Sequence, residues 1–262
     1  MTKFLWMFFS LTLFATQTLR AEPPKIYPES SGGFFGVDYT RTEHVFDFPG
    51  LQQTDELDFI GIKLGLVQNQ SLYFKISGGA GYATRSNTSL QGPLALSDNP
   101  DNERGFNVNG GARIGYNFNL GPAFRIRPVI GYKIDHTRFS LRSDAPGVRT
   151  DTDVDLDYTW HGYTYGLEAD LHLGNVVLFA GVDFFEASPN VNMSGNALAG
   201  NTSHSQGWDG DGTEFHVGIL ARIDEGIIFL RGFHQSWSAS GNGNASWDVT
   251  NTGIMFGGGF GF

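Results

Sequence analysis

Large apolar residues alternate with small or polar ones along most of this chain, a period of two that marks strands with two unlike faces. In GFFGVDYT, Phe35, Val37 and Tyr39 share one face, and Gly36, Asp38 and Thr40 the other. FIGIKLGL sets Ile60, Ile62, Leu64 and Leu66 against Gly61, Lys63 and Gly65. LYFKISGGAGYA sets Leu72, Phe74, Ile76, Ala80 and Tyr82 against Lys75, Ser77, Gly79 and Gly81. In FNVNGGARIGYNF, Phe106, Val108, Ala112, Ile114, Tyr116 and Phe118 oppose Asn107, Asn109, Arg113 and Asn117. FRIRPVIGYKID carries Arg125, Arg127, Lys133 and Asp135 on its polar face. Pro128 lies on its apolar face, where the missing N–H predicts a bulge. DVDLDYTWHGYTYGLEADLHL changes parity between Trp160 and Tyr163, which predicts a one-residue bulge. Beyond it Tyr163, Tyr165, Leu167, Ala169 and Leu171 oppose Glu168, Asp170 and His172.

VVLFAGVDFF, TEFHVGILARI, IIFLRGFHQSW and GIMFGGGFGF bring the number to about ten segments of the ~9–11 residues that a tilted membrane strand needs. The faces of IIFLRGFHQSW are ambiguous; an inward Arg231 sets Ile228 and Leu230 outward. VQNQS, NLGPA, GN and DEG read as tight turns, and the connections between them as loops of roughly 10–25 residues. Short turns at one rim and long loops at the other are the pattern of a membrane barrel. The predicted fold is all-β: a closed, antiparallel, up-and-down transmembrane β-barrel of about ten strands, in one domain over residues 34–262. An even strand number puts both ends of the barrel at the short-turn rim.

The start of the chain changes the picture. Lys3, an apolar run FLWMFFSLTLFA and a small residue, Ala21, have the form of a cleavable secretory signal over residues 1–21. A short Pro- and Ser-rich lead-in over 22–33, on the periplasmic side, follows it. The signal contains two bases, Lys3 and Arg20, and no acids, so its removal deepens the net charge from −10 to −12. That balance argues against nucleic acid as a partner. The chain has no cysteine, which excludes disulfides and thiolate metal sites. Glycine, at 36 of 262 residues, is roughly twice its usual share, and aromatics reach 14%. A mean hydropathy of −0.19 excludes a bundle of membrane helices but suits alternating strands.

The signal, the alternation, the loop asymmetry and the terminal Phe262 resemble small Gram-negative outer-membrane β-barrel proteins of the opacity and porin-like kind. The resemblance implies the bacterial outer membrane as location, and outer-membrane lipid and lipopolysaccharide as surroundings. In that family a C-terminal aromatic, with apolar residues at alternate positions before it, is recognised by the barrel-assembly machinery. The matching residues are Ile254, Phe256, Phe260 and Phe262, with Gly258 departing from the pattern. Members include adhesins, narrow pores, proteases and structural barrels, so the resemblance specifies the architecture and leaves the activity open.

Inward charges form two groups. Lys63, Lys75, Arg113, Arg125, Arg127 and Lys133 come from the second to fifth strands. Asp38, Glu168, Asp170, Asp183 and Glu214 come from the first and from the sixth to eighth, with Asp135 and Arg222 completing the set. In a closed barrel these groups face each other across an interior that side chains roughly fill. The expectation is a salt-bridged lumen in a non-enzymatic surface barrel, with extracellular ligands contacted through the long loops. A narrow channel for small polar solutes or ions is the alternative.

Asp151, Asp153, Asp155 and Asp157 share one face at the outer rim, with Asp209 and Asp211 on another loop. Carboxylates suit Ca²⁺ or Mg²⁺, but neither stretch has the full calcium-loop pattern, and a solvated acidic rim is the simpler reading. Rim Asp and His residues also resemble the lip site of the omptins, ten-stranded outer-membrane proteases. Asp155 and Asp157 with His161, or Asp209 and Asp211 with His204, are the candidates, though no flanking motif of that family aligns. His136, His216 and His234 lack metal-ligand spacing and suit hydrogen bonding in the lumen. No cofactor motif appears. Tyr82, Phe106, Tyr132, Tyr158, Tyr163, Phe184 and Trp237 lie near the long-loop ends and predict an aromatic girdle.

Overall fold

In the computed structural model the described residues are 31–48, 51–91, 104–143, 152–195, 202–224, 226–240 and 246–261. The strands are β1 (Gly32–Phe48), β2 (Leu51–Asn69), β3 (Leu72–Gln91), β4 (Arg104–Tyr116), β5 (Phe118–Asn119) and β6 (Phe124–Ser143). They continue as β7 (Thr152–Leu173), β8 (Val176–Gly195), β9 (Thr202–Gly207), β10 (Asp209–Ile223), β11 (Gly226–Ser240) and β12 (Ser246–Gly261). Neighbours in sequence pair antiparallel, and β1 pairs with both β2 and β12, which closes the sheet. β5 continues β4 past Asn117, and β9 leads into β10 past Trp208, so the wall holds ten strands. Residues 1–30 and Phe262 lie outside the described residues, and β1 already begins at Gly32, inside the expected lead-in.

The outer face is apolar. Ile60, Ile62, Leu64 and Leu66 on β2 are about half exposed, as are Phe35, Val37 and Tyr39 on β1. On β3 the apolar row runs from Leu72 to Tyr82. Those ten steps cover about 33 Å along the strand, which a tilt of ~40° reduces to about 25 Å, the height of a barrel's lipid-facing band. Ile228 and Leu230 also face out and Arg231 faces in, which resolves the ambiguous strand. The turn rim is tight: Gly121 and Gly174 take φ values of 109° and 66°, a conformation that a side chain would strain.

Several expectations are corrected. The strands are longer than a bilayer requires, up to 22 residues in β7, so much of what reads as loop is wall standing beyond the apolar band. No bulge occurs at Pro128. The register either side of it is unchanged, with Gly115 opposite Val129 and Phe118 opposite Ile126. The missing N–H instead interrupts the ladder between β4 and β5, where the N–H of Asn117 donates across to Ser71 O at 2.9 Å. No bulge separates Trp160 from Tyr163 either, because β7 keeps one register along both neighbours. Tyr158 and Trp160 simply point inward on the face that carries Thr164 and Glu168. The shift that does occur lies between β2 and β3, where Asp58 pairs with Arg85 but Phe59 with Ala83. Thr84 is the extra residue, and its hydroxyl donates to Asp58 O at 3.2 Å.

The abundance of glycine has a packing cause. Inside the barrel the rings of Phe34, Phe179, Phe229 and Phe233 lie against Gly65, Gly218, Gly257 and Gly253 of adjacent strands. A Cβ at any of these four glycines would collide with the ring. Small residues thus provide the floor on which interior aromatics rest.

Candidate functional site

The interior is stacked in three layers. The first, toward the turn rim, is ionic. Arg127 on β6 bonds Glu168 on β7, donates to Asp170 Oδ2 at 2.8 Å, and uses its Nε on Asn117 Oδ1 at 2.7 Å. Its guanidinium lies 4.1 Å from the ring centre of Tyr73. Arg125 donates twice to Asp170 Oδ2, at 2.9 and 2.5 Å. Arg113 on β4 reaches Glu168 Oε1 at 3.0 Å and also bonds Asp183 on β8. All six charged groups are buried. Strand parity and register explain the meeting: each residue points inward, Arg125 and Arg127 on β6 lie directly opposite Asp170 and Glu168 on β7, and Arg113 and Asp183 come from the next strand on either side.

The second layer holds a cavity of about 160 Å³. Lys133 and Arg231 bind the two oxygens of Glu214, Arg231 at 2.7 Å. Lys63 lies 3.9 Å from Asp38. Asp135 accepts from Asn107 at 2.9 Å and from Thr137 at 3.2 Å. Lys75 makes no ion pair among the described residues; its ammonium lies 5.3 Å from the ring centre of Phe34. Arg222 is half-buried near the turn rim, with its backbone N–H on Asn175 O.

Asp183, Glu214 and His216 bring ligand atoms within 4.8 Å of one another, the spacing of a cation site. Lys133 and Arg231 already hold both oxygens of Glu214, and Arg113 holds one of Asp183. Local charge therefore opposes a further cation.

The third layer, toward the loops, is aromatic. His44, Phe46, Tyr158, Trp160, Phe185, Trp208, Trp237 and Trp247 are all buried. Phe46 and Tyr158 come from strands five places apart in a ring of ten, yet their ring centres are 5.3 Å apart. Trp247 touches both, at 5.0 and 5.1 Å, and Trp237 at 4.8 Å. Its indole N–H donates to His44 Nδ1 at 3.3 Å. Side chains from opposite walls meet in the middle, so this layer fills the lumen.

The aromatic layer corrects the predicted girdle. Tyr82, Phe106, Tyr132, Tyr163 and Phe184 do face outward, but Tyr158 and Trp237 are interior, each 2% exposed. The histidines divide as well. His216 lies in the lumen, 3.9 Å from Glu168, whereas His136 and His234 face outward against Thr159 and Thr252. At the rim, Asp157 pairs with His136 at 3.2 Å, not with His161, whose ring stacks on Tyr132. Asp209 and Asp211 are exposed. The side chains of Asp151, Asp153, Asp155 and His204 lie outside the described residues. Ile254, Phe256 and Phe260 face outward on β12.

No protein-family model and no curated protein sequence matches the chain. Among solved structures it is similar to the outer membrane protein OprG from Pseudomonas aeruginosa, at 13% identity over 89% of this chain and 97% of that one, with a TM-score of 0.40. It is similar to a major outer membrane protein from Thermus thermophilus, at 12% identity over 88% and 99%, with a TM-score of 0.40. It is also similar to Ail, the attachment invasion locus protein of Yersinia pestis, at 11% identity over 89% and 99%, with a TM-score of 0.31.

Proposed function

We propose that this chain is a non-conducting, non-enzymatic surface barrel of the bacterial outer membrane. It carries an extended wall and loops whose role is to contact lipopolysaccharide or an external ligand. The observation that supports this reading is the contact of Phe46, Tyr158 and Trp247 across the barrel. A solute on the barrel axis meets a close-packed aromatic layer and then, at the turn rim, the Arg113, Arg125 and Arg127 network. Moving either layer means separating close-packed rings or desolvating paired charges. The apolar outer face supports a lipid environment, since water would meet it otherwise. The outward Ile254, Phe256 and Phe260 of β12, followed in the sequence by Phe262, suit recognition by barrel-assembly machinery.

Swelling of liposomes that contain the refolded barrel tests the reading. Native protein is expected to give no solute entry above that of empty liposomes, even for the smallest sugars. Entry that scales with protein content would overturn it and place the lumen charges on a solute path.

A further inference from the structure

The charges of the lumen balance in one layer and not in the next. Toward the turn rim, Arg113, Arg125 and Arg127 face Glu168, Asp170 and Asp183, three against three, all connected by ion pairs. Around the cavity, leaving aside Arg113, whose charge is matched by Glu168 and Asp183 in the ionic layer, Lys63, Lys75, Lys133 and Arg231 face Asp38, Asp135 and Glu214. Each of those acids is engaged: Glu214 by Lys133 and Arg231, Asp38 by Lys63 and Thr40, Asp135 by Asn107 and Thr137. The surplus is one positive charge, and Lys75 is the residue that holds it. A second unsatisfied donor lines the same cavity from β11, since the Nε of Arg231 is buried with no hydrogen-bond partner among the described residues.

We propose that the cavity binds one small monovalent anion, held by Lys75 with help from Lys63 and Arg231. An isolated ammonium inside the barrel, away from bulk water, is costly unless it is paired. Acids that are already bonded give Lys75 little relief, and a mobile counter-ion restores neutrality. The volume fits. A water needs only ~10–15 Å³ measured this way, so 160 Å³ accommodates a carboxylate, a chloride or a monobasic phosphate together with several waters. The polar lining from Asn107, Asn109 and Gln235 adds amide groups around it. The anion would be a structural ligand of the barrel, contributing to stability in proportion to its occupancy.

Equilibrium dialysis of the refolded full chain, in a phosphorus-free detergent, tests this with three separate probes: labelled acetate, chloride and inorganic phosphate. Because dialysis reads occupancy at equilibrium, its result is independent of whether the lumen conducts. Native protein is expected to hold close to one equivalent of at least one probe, and the three arms identify which. Lys75→Met, or Lys75→Gln if the first does not fold, should lower that occupancy at least tenfold while keeping the native shift in gel mobility between unheated and boiled samples. Arg41→Gln, which removes an exposed ion pair with Glu56 on the same barrel, should leave it unchanged. Native protein that holds none of the three probes would overturn the proposal. So would a folded Lys75 variant that holds as much as the native chain.

Discussion

Arg113 donates to two carboxylates on two strands, Glu168 and Asp183, and Asp183 is fully buried. Removing the guanidinium leaves both acids short of a partner in a site with little water. Arg113→Ala should therefore cost about 3–5 kcal/mol, the range for breaking a buried pair from one side. Denaturant unfolding in lipid or detergent, read at matched slopes, checks it. Trp247 is the largest fully buried side chain and touches rings from three other strands. Trp247→Ala should cost a similar amount, about 3–5 kcal/mol, through lost contacts and the cavity left behind. Both residues had a sequence signal, though of unequal clarity. Arg113 stands out because an arginine alternates with Ile114 and Ala112 in a strand pattern. Trp247 sits in SWDVT, where polar neighbours make the stretch read as loop, and only parity continued backward from Met255 points it inward.

At the scale of the strand, legibility depended on contrast between the two faces. β2, β3 and β4 alternate apolar with small or charged residues, and their faces were readable residue by residue. β7 was misread because its outer half puts Tyr158 and Trp160 inward and His161 outward, the reverse of the contrast below Tyr163. Inside the lipid band large residues face lipid; beyond it they turn inward, since water replaces lipid outside. A change in solvent thus imitates a bulge. The bulge at Thr84 had no such cue, because TRSN is polar throughout. Close strand approach supplies a prediction at this scale. A Cβ on Gly162 would overlap the backbone carbonyl of Glu186 on β8, whereas one on Gly232 meets open space. Gly162→Ala should cost about 1–3 kcal/mol, the range for overpacking, while Gly232→Ala stays within about 0.5 kcal/mol of the native chain. Paired unfolding curves decide it, and equal effects would contradict the packing described for β7 and β8.

The closed barrel and its ten-strand wall were legible from periodicity, because a period of two and an even strand number leave few arrangements, whereas the ionic pairs expected across the lumen join β6 to its neighbour β7. The division of the lumen into an ionic layer, a cavity and an aromatic layer was not legible. It depends on which inward residues share a height, and height follows from register and stagger rather than from order along the chain. Phe46 and Tyr158 are more than a hundred residues apart in sequence and meet only because the sheet closes. That meeting puts rings from opposite walls in contact across the lumen. The most direct measurement is single-channel conductance of the refolded chain in planar bilayers, after its mobility on unheated gels shows that it has folded. A lumen closed in this way is expected to be silent at all voltages. Discrete, reproducible openings from the native protein would contradict it.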